Sequence, residues 1–335
     1  MRKVPVLHFS IALLTMLVLR AASADPLAEL SSFSVFDKVD LAALAKGDPK
    51  TAHGQPMSNP RYLSVQSCYV APGAPSQHLE ALRSWNPAPH RELKVILHFD
   101  VPGSPTESAF AKIKSAPDIA PVRAFVAATT KMSPDLQLSR DEAAKWKGGE
   151  GALNGTMGDF WMSVLAGRAR AFVSGGTSAL PPYDHAGSPV RAGDELNGLL
   201  REQGKIRKQF SGFLESTGIG RGAASLRPEL YWEMLNVDDV AAVALGGFYS
   251  RPSGSAAQAA DTFYYASGGF YAGLTLYQMW PVDIGGRAST LVWRGDMIAS
   301  ASLASLHGVE KLASESAMMK DVAKSITVFR KESAR

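Results

Sequence analysis

DTFYYASGGFYAGLTLYQMWPVDIGGRASTLVW, residues 261–293, decides the fold. Thr262 to Tyr265 is an aromatic run suited to a pleated, half-buried surface. Ser267-Gly268-Gly269 turns the chain, and Phe270 to Trp280 resumes the strand pattern. Leu274, Leu276 and Gln278 fall on one face, and Thr275, Tyr277 and Met279 on the other. Neither face is strongly polar, so both are expected to be covered. Pro281 is expected to end the ladder because it has no amide proton to donate. Gly285-Gly286 turns the chain again, and Ala288 to Trp293 returns as a further strand. Two Gly-Gly turns between aromatic-rich runs predict antiparallel hairpins.

Beyond about Ser300 the period changes. Leu312, Met319, Val322, Ile326 and Phe329 are spaced by 7, 3, 4 and 3, which places them on one helical face. The predicted helix is about 30 residues and roughly 45 Å long, with His307-Gly308 kinking its first part. An amphipathic helix of that length needs an apolar surface to lie on, and the preceding sheet is the nearest one. The expected class is α+β, a curved antiparallel sheet packed on a long C-terminal helix.

Of the 335 residues, 46% are hydrophobic and 20% charged, enough to bury a sizeable core. The formal net charge is +4, but Arg2, Lys3 and Arg20 contribute to it from an N-terminal segment without acids. The remainder is nearly neutral and shows no basic stripe, which argues against a nucleic-acid partner. Residues 1–24 have the layout of a signal peptide: basic Arg2-Lys3, an apolar core from Phe9 to Leu19, and Ala22-Ser23-Ala24 before the expected cleavage. A periplasmic or secreted location follows as an expectation. Cys68 is the only cysteine, so no internal disulfide is expected, and its strand-like surroundings suit a buried thiol.

Residues 25–60 read as an N-terminal arm and 61–332 as one α+β domain, with 102–260 an insertion or subdomain. In the arm, Leu27 to Ala45 looks helical. The body opens with a strand around Cys68, a helix from Ser76 to Trp85, and a second strand from Leu93 to Val101. Phe160 to Leu165 and Ala169 to Val173 are expected as a strand pair about Gly167, and Glu195 to Phe213 as one polar helix. Between them, 174–194 is a Gly, Pro and Ser-rich loop suited to a lid.

No phosphate-binding loop, dinucleotide fingerprint, zinc motif or serine-nucleophile elbow is present. No cofactor or metal is therefore expected. The acid–base candidates are Asp184 and His185, adjacent in the loop, and His98 and Asp100, two apart on a strand and so on one face. Glu233 with Asp238-Asp239 is an acidic cluster open to a turn or a cation reading. The candidate ligand-binding residues are Tyr265, Tyr271, Tyr277, Trp280, Trp293 and Met319, an apolar wall with phenol and indole tips.

A strand over Ser64–Val70, a Pro-flanked helix over Ser76–Trp85, antiparallel strands over Thr262–Trp293 and a long final helix resemble the START-like, helix-grip (SRPBCC-type) lipid-binding superfamily. The resemblance implies a curved sheet gripping the last helix around a hydrophobic cavity. It carries no catalytic residue, because the superfamily has no universal catalytic motif. The leading expectation is an exported protein that binds a hydrophobic or amphipathic small molecule of lipid or isoprenoid class. Peripheral membrane contact is compatible with it. The alternatives are an exported hydrolase-like enzyme using loop 174–194 and an envelope-assembly interaction protein.

Overall fold

The computed structural model describes residues 25–149, 151–219 and 225–333. The expected signal peptide lies outside the described residues. Eight antiparallel strands form one open sheet among them. They are β1 (Lys50–His53), β2 (Tyr62–Pro72), β3 (Val95–Val101), β4 (Glu229–Val237), β5 (Val240–Ser253), β6 (Ala256–Ala266), β7 (Ala272–Asp283) and β8 (Ala288–Ala299). Their order is β1-β2-β8-β7-β6-β5-β4-β3. From β3 to β8 the sheet is thus a sequential meander, and β2 returns to pair along β8 from Tyr62–Ala299 to Pro72–Ser289. Asp238 and Asp239, both left-handed (φ 48° and 62°), make the β4–β5 turn, so this acidic pair is turn chemistry. Gly285 and Gly286, also at positive φ, make the expected turn between β7 and β8.

The helices are α1 (Pro26–Phe33), α2 (Leu41–Lys46), α3 (Pro75–Arg83), α4 (Ala120–Thr130), α5 (Arg140–Ala143), α6 (Thr156–Gly175), α7 (Ala192–Glu202), α8 (Gly204–Gln209), α9 (Ser211–Thr217) and α10 (Val309–Ser333). The alternation expected in β7 decides how they sort. Leu274, Leu276 and Trp280, with Leu291 and Trp293 of β8, join the main core with α1, α4 and α6 to α9. Tyr277, Met279 and Val292 face the other way, onto Leu79 and Leu82 of α3 and Val322 and Ile326 of α10. The sheet is covered on both faces, so three layers result.

Both edges of the sheet reach α10. His53 on β1 bonds Glu315 at 2.8 Å, and Lys94, just before β3, bonds Asp321 at 3.1 Å. Eight flat strands would span roughly 34 Å at ~4.8 Å per step. The two helix positions are only about 9 Å apart along the axis. The sheet therefore bends around the helix.

Five local expectations are corrected. Pro281 does not end its strand, because β7 runs on to Asp283 with Pro281 opposite Thr290 of β8. The helical stretch expected over Leu27–Ala45 is two helices, α1 and α2, with residues 34–40 between them. Residues 160–173 are not a strand pair but part of α6. Its buried positions Met157, Phe160, Trp161, Val164, Leu165, Ala169 and Phe172 follow the helical period, and short apolar windows within it imitate alternation. The single helix expected over 195–213 is broken into α7, α8 and α9, with Gln203 and Phe210 outside helical geometry at the joints. The last helix starts at Val309, after a separate 3-10 turn at Ser302–Ser305, because Gly308 is left-handed (φ 51°).

Candidate functional site

The face of the sheet turned toward α3 and α10 carries a band of polar side chains running across six strands. It starts at Ser67 on β2 and passes Arg294 and Asp296 on β8, then Thr275 and Tyr277 on β7. Asp261 on β6 follows, then Tyr231 and Glu233 on β4, and His98 on β3 ends it. Period-2 alternation and the register place them together: Ser67 opposes Arg294, Asp296 opposes Thr275, Thr275 opposes Asp261, and Glu233 opposes His98. β5 leaves a gap in the band where Gly246 lies under the Tyr231 ring, and a methyl group there would collide with that ring.

The groups are paired locally. Arg294 grips Asp296 through Nε (3.0 and 2.9 Å) and Nη2 (2.7 Å), and lies 5.6 Å above the Tyr277 ring. The Thr275 hydroxyl donates to the same carboxylate at 2.9 Å. His98 Nδ1 meets Glu233 Oε1 at 2.8 Å. Burial pulls the His98 pKa down, but the hydrogen bond and charge of Glu233 outweigh it and leave the ring raised above 6.5. The Tyr231 hydroxyl donates to Asp261 at 2.6 Å. Burial pushes Asp261 up to about 7, against the pull of that hydrogen bond. Asp261, Thr275, Arg294 and His98 are only half-buried, although they lie beneath a layer of helices.

Beside Arg294 the space opens into a cleft of about 450 Å³ between α10 and the sheet. Leu63, Leu235, Phe270 and Ile298 give it an apolar floor, and Met318 and Val322 of α10 form its roof. Lys94 and Asp321 stand at the rim.

The six ligand-binding candidates are divided between the two faces. Tyr277 and Met319 lie on the α10 side. Tyr265, Trp280 and Trp293 lie in the opposite core and are fully buried or nearly so. Tyr265 is packed under Arg168 (4.3 Å), which pairs with Glu142 at 2.6 Å. Trp280 and Trp293 pack on Phe33 of α1, and Trp293 donates to Gln66 at 3.1 Å. Tyr271 is half-buried beside Tyr183, whose hydroxyl donates to its carbonyl at 3.1 Å.

Asp184 accepts from the Arg140 amide at 2.9 Å, and His185 Nε2 lies 3.1 Å from the Ser133 carbonyl oxygen. Both fasten loop 174–194 to α5 and its approach. His185 also borders an open hollow of about 790 Å³ shared with Arg61, Tyr183 and Tyr271. His98 and Asp100 do share a face, but the carboxylate that binds His98 is Glu233 on the neighbouring strand, while Asp100 is exposed. The sequence missed Asp261, Tyr231 and the Arg294–Asp296 pair. Their only trace was ionisable residues interrupting one face of otherwise apolar strands.

Among the described residues no group of three His, Cys, Asp or Glu side chains is arranged to hold a metal, and no helix is long and apolar enough to cross a membrane. Comparison with family models, with curated proteins and with solved structures finds no match to this chain.

Proposed function

We propose that the protein binds a hydrophobic or amphipathic small molecule, of lipid or isoprenoid class, in the cleft between α10 and the sheet. One observation carries the reading: a largely apolar cleft of about 450 Å³ is lined at one side by half-buried Arg294, a member of the polar band. Its volume falls within the roughly 300–1,000 Å³ of small-molecule sites, and an apolar wall with a few polar groups is their usual lining. On this reading the chain is a START-like, helix-grip protein. Its gripping sheet is bent around α10, its insertion supplies the opposite helical layer, and residues 1–24 direct export.

The test is native mass spectrometry of protein purified from its own host, followed by denaturing extraction. A lipid-sized mass bound one to one supports the reading and gives the ligand class. Protein that is empty, and stays empty when offered amphiphiles, overturns it.

A second reading, catalysis in the same cleft, is favoured by the neighbouring His98–Glu233 and Tyr231–Asp261 pairs, a base-type and an acid-type couple. Conversion of the extracted ligand by the wild type, lost in His98→Ala while binding persists, would select it.

A further inference from the structure

At the other end of β8 and α10 a second hollow, of about 1000 Å³, opens between α2, the end of β2, the β7–β8 turn and the last turns of α10. It shares no lining residue with the cleft, which α10 lines from Ser314 to Ser325, whereas Thr327, Arg330 and Lys331 line the hollow. Val70, Ala71 and Pro72 of β2, with Ile284 and Ala288 across the turn, give it apolar walls. Four cations line it as well, Lys46, Arg287, Arg330 and Lys331, against one carboxylate, Asp48. Among the described residues none of the four takes part in an ion pair. Arg330 has a structural task, because it caps α2. Its Nη1 donates to the Gly47 carbonyl at 2.9 Å, and its Nη2 to those of Ala45 at 3.3 Å and Leu44 at 3.4 Å. These partners are neutral and occupy three of the five guanidinium N–H donors. Burial pulls the half-buried guanidinium below the ordinary arginine pKa, against the charge of nearby Asp48. Capping one short helix does not account for the other three cations. Lys46, Arg287 and Lys331 come from α2, the β7–β8 turn and α10, and their exposed side chains gather like charge around one concavity.

We infer that this hollow is a second ligand site, separate from the cleft, and takes one molecule with an anionic head, a carboxylate or phosphate, on a short apolar body. A concavity lined by one sign of charge raises the local concentration of the opposite sign. The donors that Arg330 does not spend on α2 suit an oxyanion, and charge-assisted bonds of that kind are the strong ones. Val70, Ile284 and Ala288 offer the body an apolar surface. The volume lies at the upper end of the roughly 300–1,000 Å³ typical of small-molecule sites. Walls contributed by four elements enclose a single molecule, where a flat basic face would suit a membrane surface.

Calorimetric titration of the intact protein with octyl phosphate, below micelle formation, tests this, with octanol as the uncharged control. The double variant Arg287→Gln, Lys331→Gln changes two exposed side chains that hold no ion pair, so the fold should be unaffected. It should weaken octyl phosphate binding by about fivefold or more and leave octanol binding unchanged. Arg330→Met keeps the apolar stem, removes the charge and should weaken octyl phosphate by about tenfold or more. Where that variant is too unstable to titrate, the exposed double variant decides alone. Raising the salt concentration should weaken octyl phosphate in the wild type more than in the double variant. Octyl phosphate bound equally by wild type and variants sits elsewhere and overturns the inference, while leaving the cleft reading standing. Absence of octyl phosphate binding overturns it too. So does binding to phosphatidylglycerol vesicles without binding of octyl phosphate, which would make this end of the molecule a membrane-contact face instead.

Discussion

Asp261 on β6 and His78 on α3 act in opposite directions on the response to acid. Asp261 is raised from 3.8 to about 7 in the fold. Between those values the folded protein holds a proton that the unfolded chain has released, so this group's contribution to stability falls as pH rises through the window. Burial lowers His78 from 6.5 to about 4. Between those values the unfolded chain holds the proton, so this contribution grows with pH. The two slopes largely cancel between about pH 4 and 6.5 in the wild type. Asp261→Asn removes the first and leaves Glu233, His98 and Arg294 beside it, and His78, Asp321 and Arg330 on the covering helices, in place. The variant should gain stability relative to wild type steadily from pH 3.8 to about 7 and level off outside that range, measured by urea unfolding. A difference that is flat across the window would show that Asp261 titrates normally. The buried Arg168–Glu142 pair offers a contrast in the opposite core. Glu142→Ala leaves a guanidinium without its carboxylate where the side chain is 1% exposed, and should cost about 3–5 kcal/mol. Replacing both partners by apolar residues of similar volume should be far less costly in the same urea titration. None of these partnerships was readable from spacing. His98 and Asp100 are sequence neighbours, but the bond to His98 comes from Glu233, a residue that only the β3–β4 register brings alongside.

The hairpins and the last helix were legible because their signals are local. Alternation along 274–279, Gly-Gly turns and 3–4 spacing after residue 312 each lie within one element. Failures came where two periods fit the same short run. Phe160 to Val173 alternates over a few residues, yet across α6 its buried positions keep helical spacing, and only the longer window separates the two. β5 carries no clear period in the sequence, because Ala241 to Gly247 is mostly small residues that suit either state. Their smallness has a use: Gly246 gives the Tyr231 ring its place. Gly246→Ala should therefore displace the phenol from Asp261 and destabilise the fold, typically by 1–3 kcal/mol for overpacking, and, with the downward pull of that hydrogen bond gone, move the upper end of the Asp261 pH window higher. In α10 the sequence read five positions as one buried face. Val322, Ile326 and Phe329 are buried, Met319 is half-buried, and Leu312 is 55% exposed. Ile326→Ala should cost about 2–4 kcal/mol, and Leu312→Ala no more than about 0.5 kcal/mol, in thermal or urea unfolding. Equal effects would mean that the helix is seated along its whole length.

That asymmetry in α10 bears on how the whole molecule would admit a ligand. All three fully buried positions of the helix lie from Val322 onward. Ser314, Met318 and Asp321, in its first half, line the cleft, which reaches only Val322 and Ser325 of the second. The first half is held at the two sheet edges by the His53–Glu315 and Lys94–Asp321 pairs, and such exposed pairs are worth at most about 1 kcal/mol each. The second half rests on apolar burial, about 1.5–3 kcal/mol for each full side chain. Local opening draws on the least stable contacts first. Residues 309–321 should therefore lift from the cleft more readily than residues 322–333, with 322–333 acting as the fixed end. Hydrogen exchange followed by peptide mass spectrometry reads this directly: amides of 309–321 should exchange faster than those of 322–333. Screening both edge pairs with high salt should widen the difference. A ligand seated against Ser314 and Met318 should slow exchange in the first half and leave the second nearly unchanged beyond its first turn. Uniform exchange along α10, with and without bound amphiphile, would mean that the helix is a fixed wall and that entry lies elsewhere on the sheet.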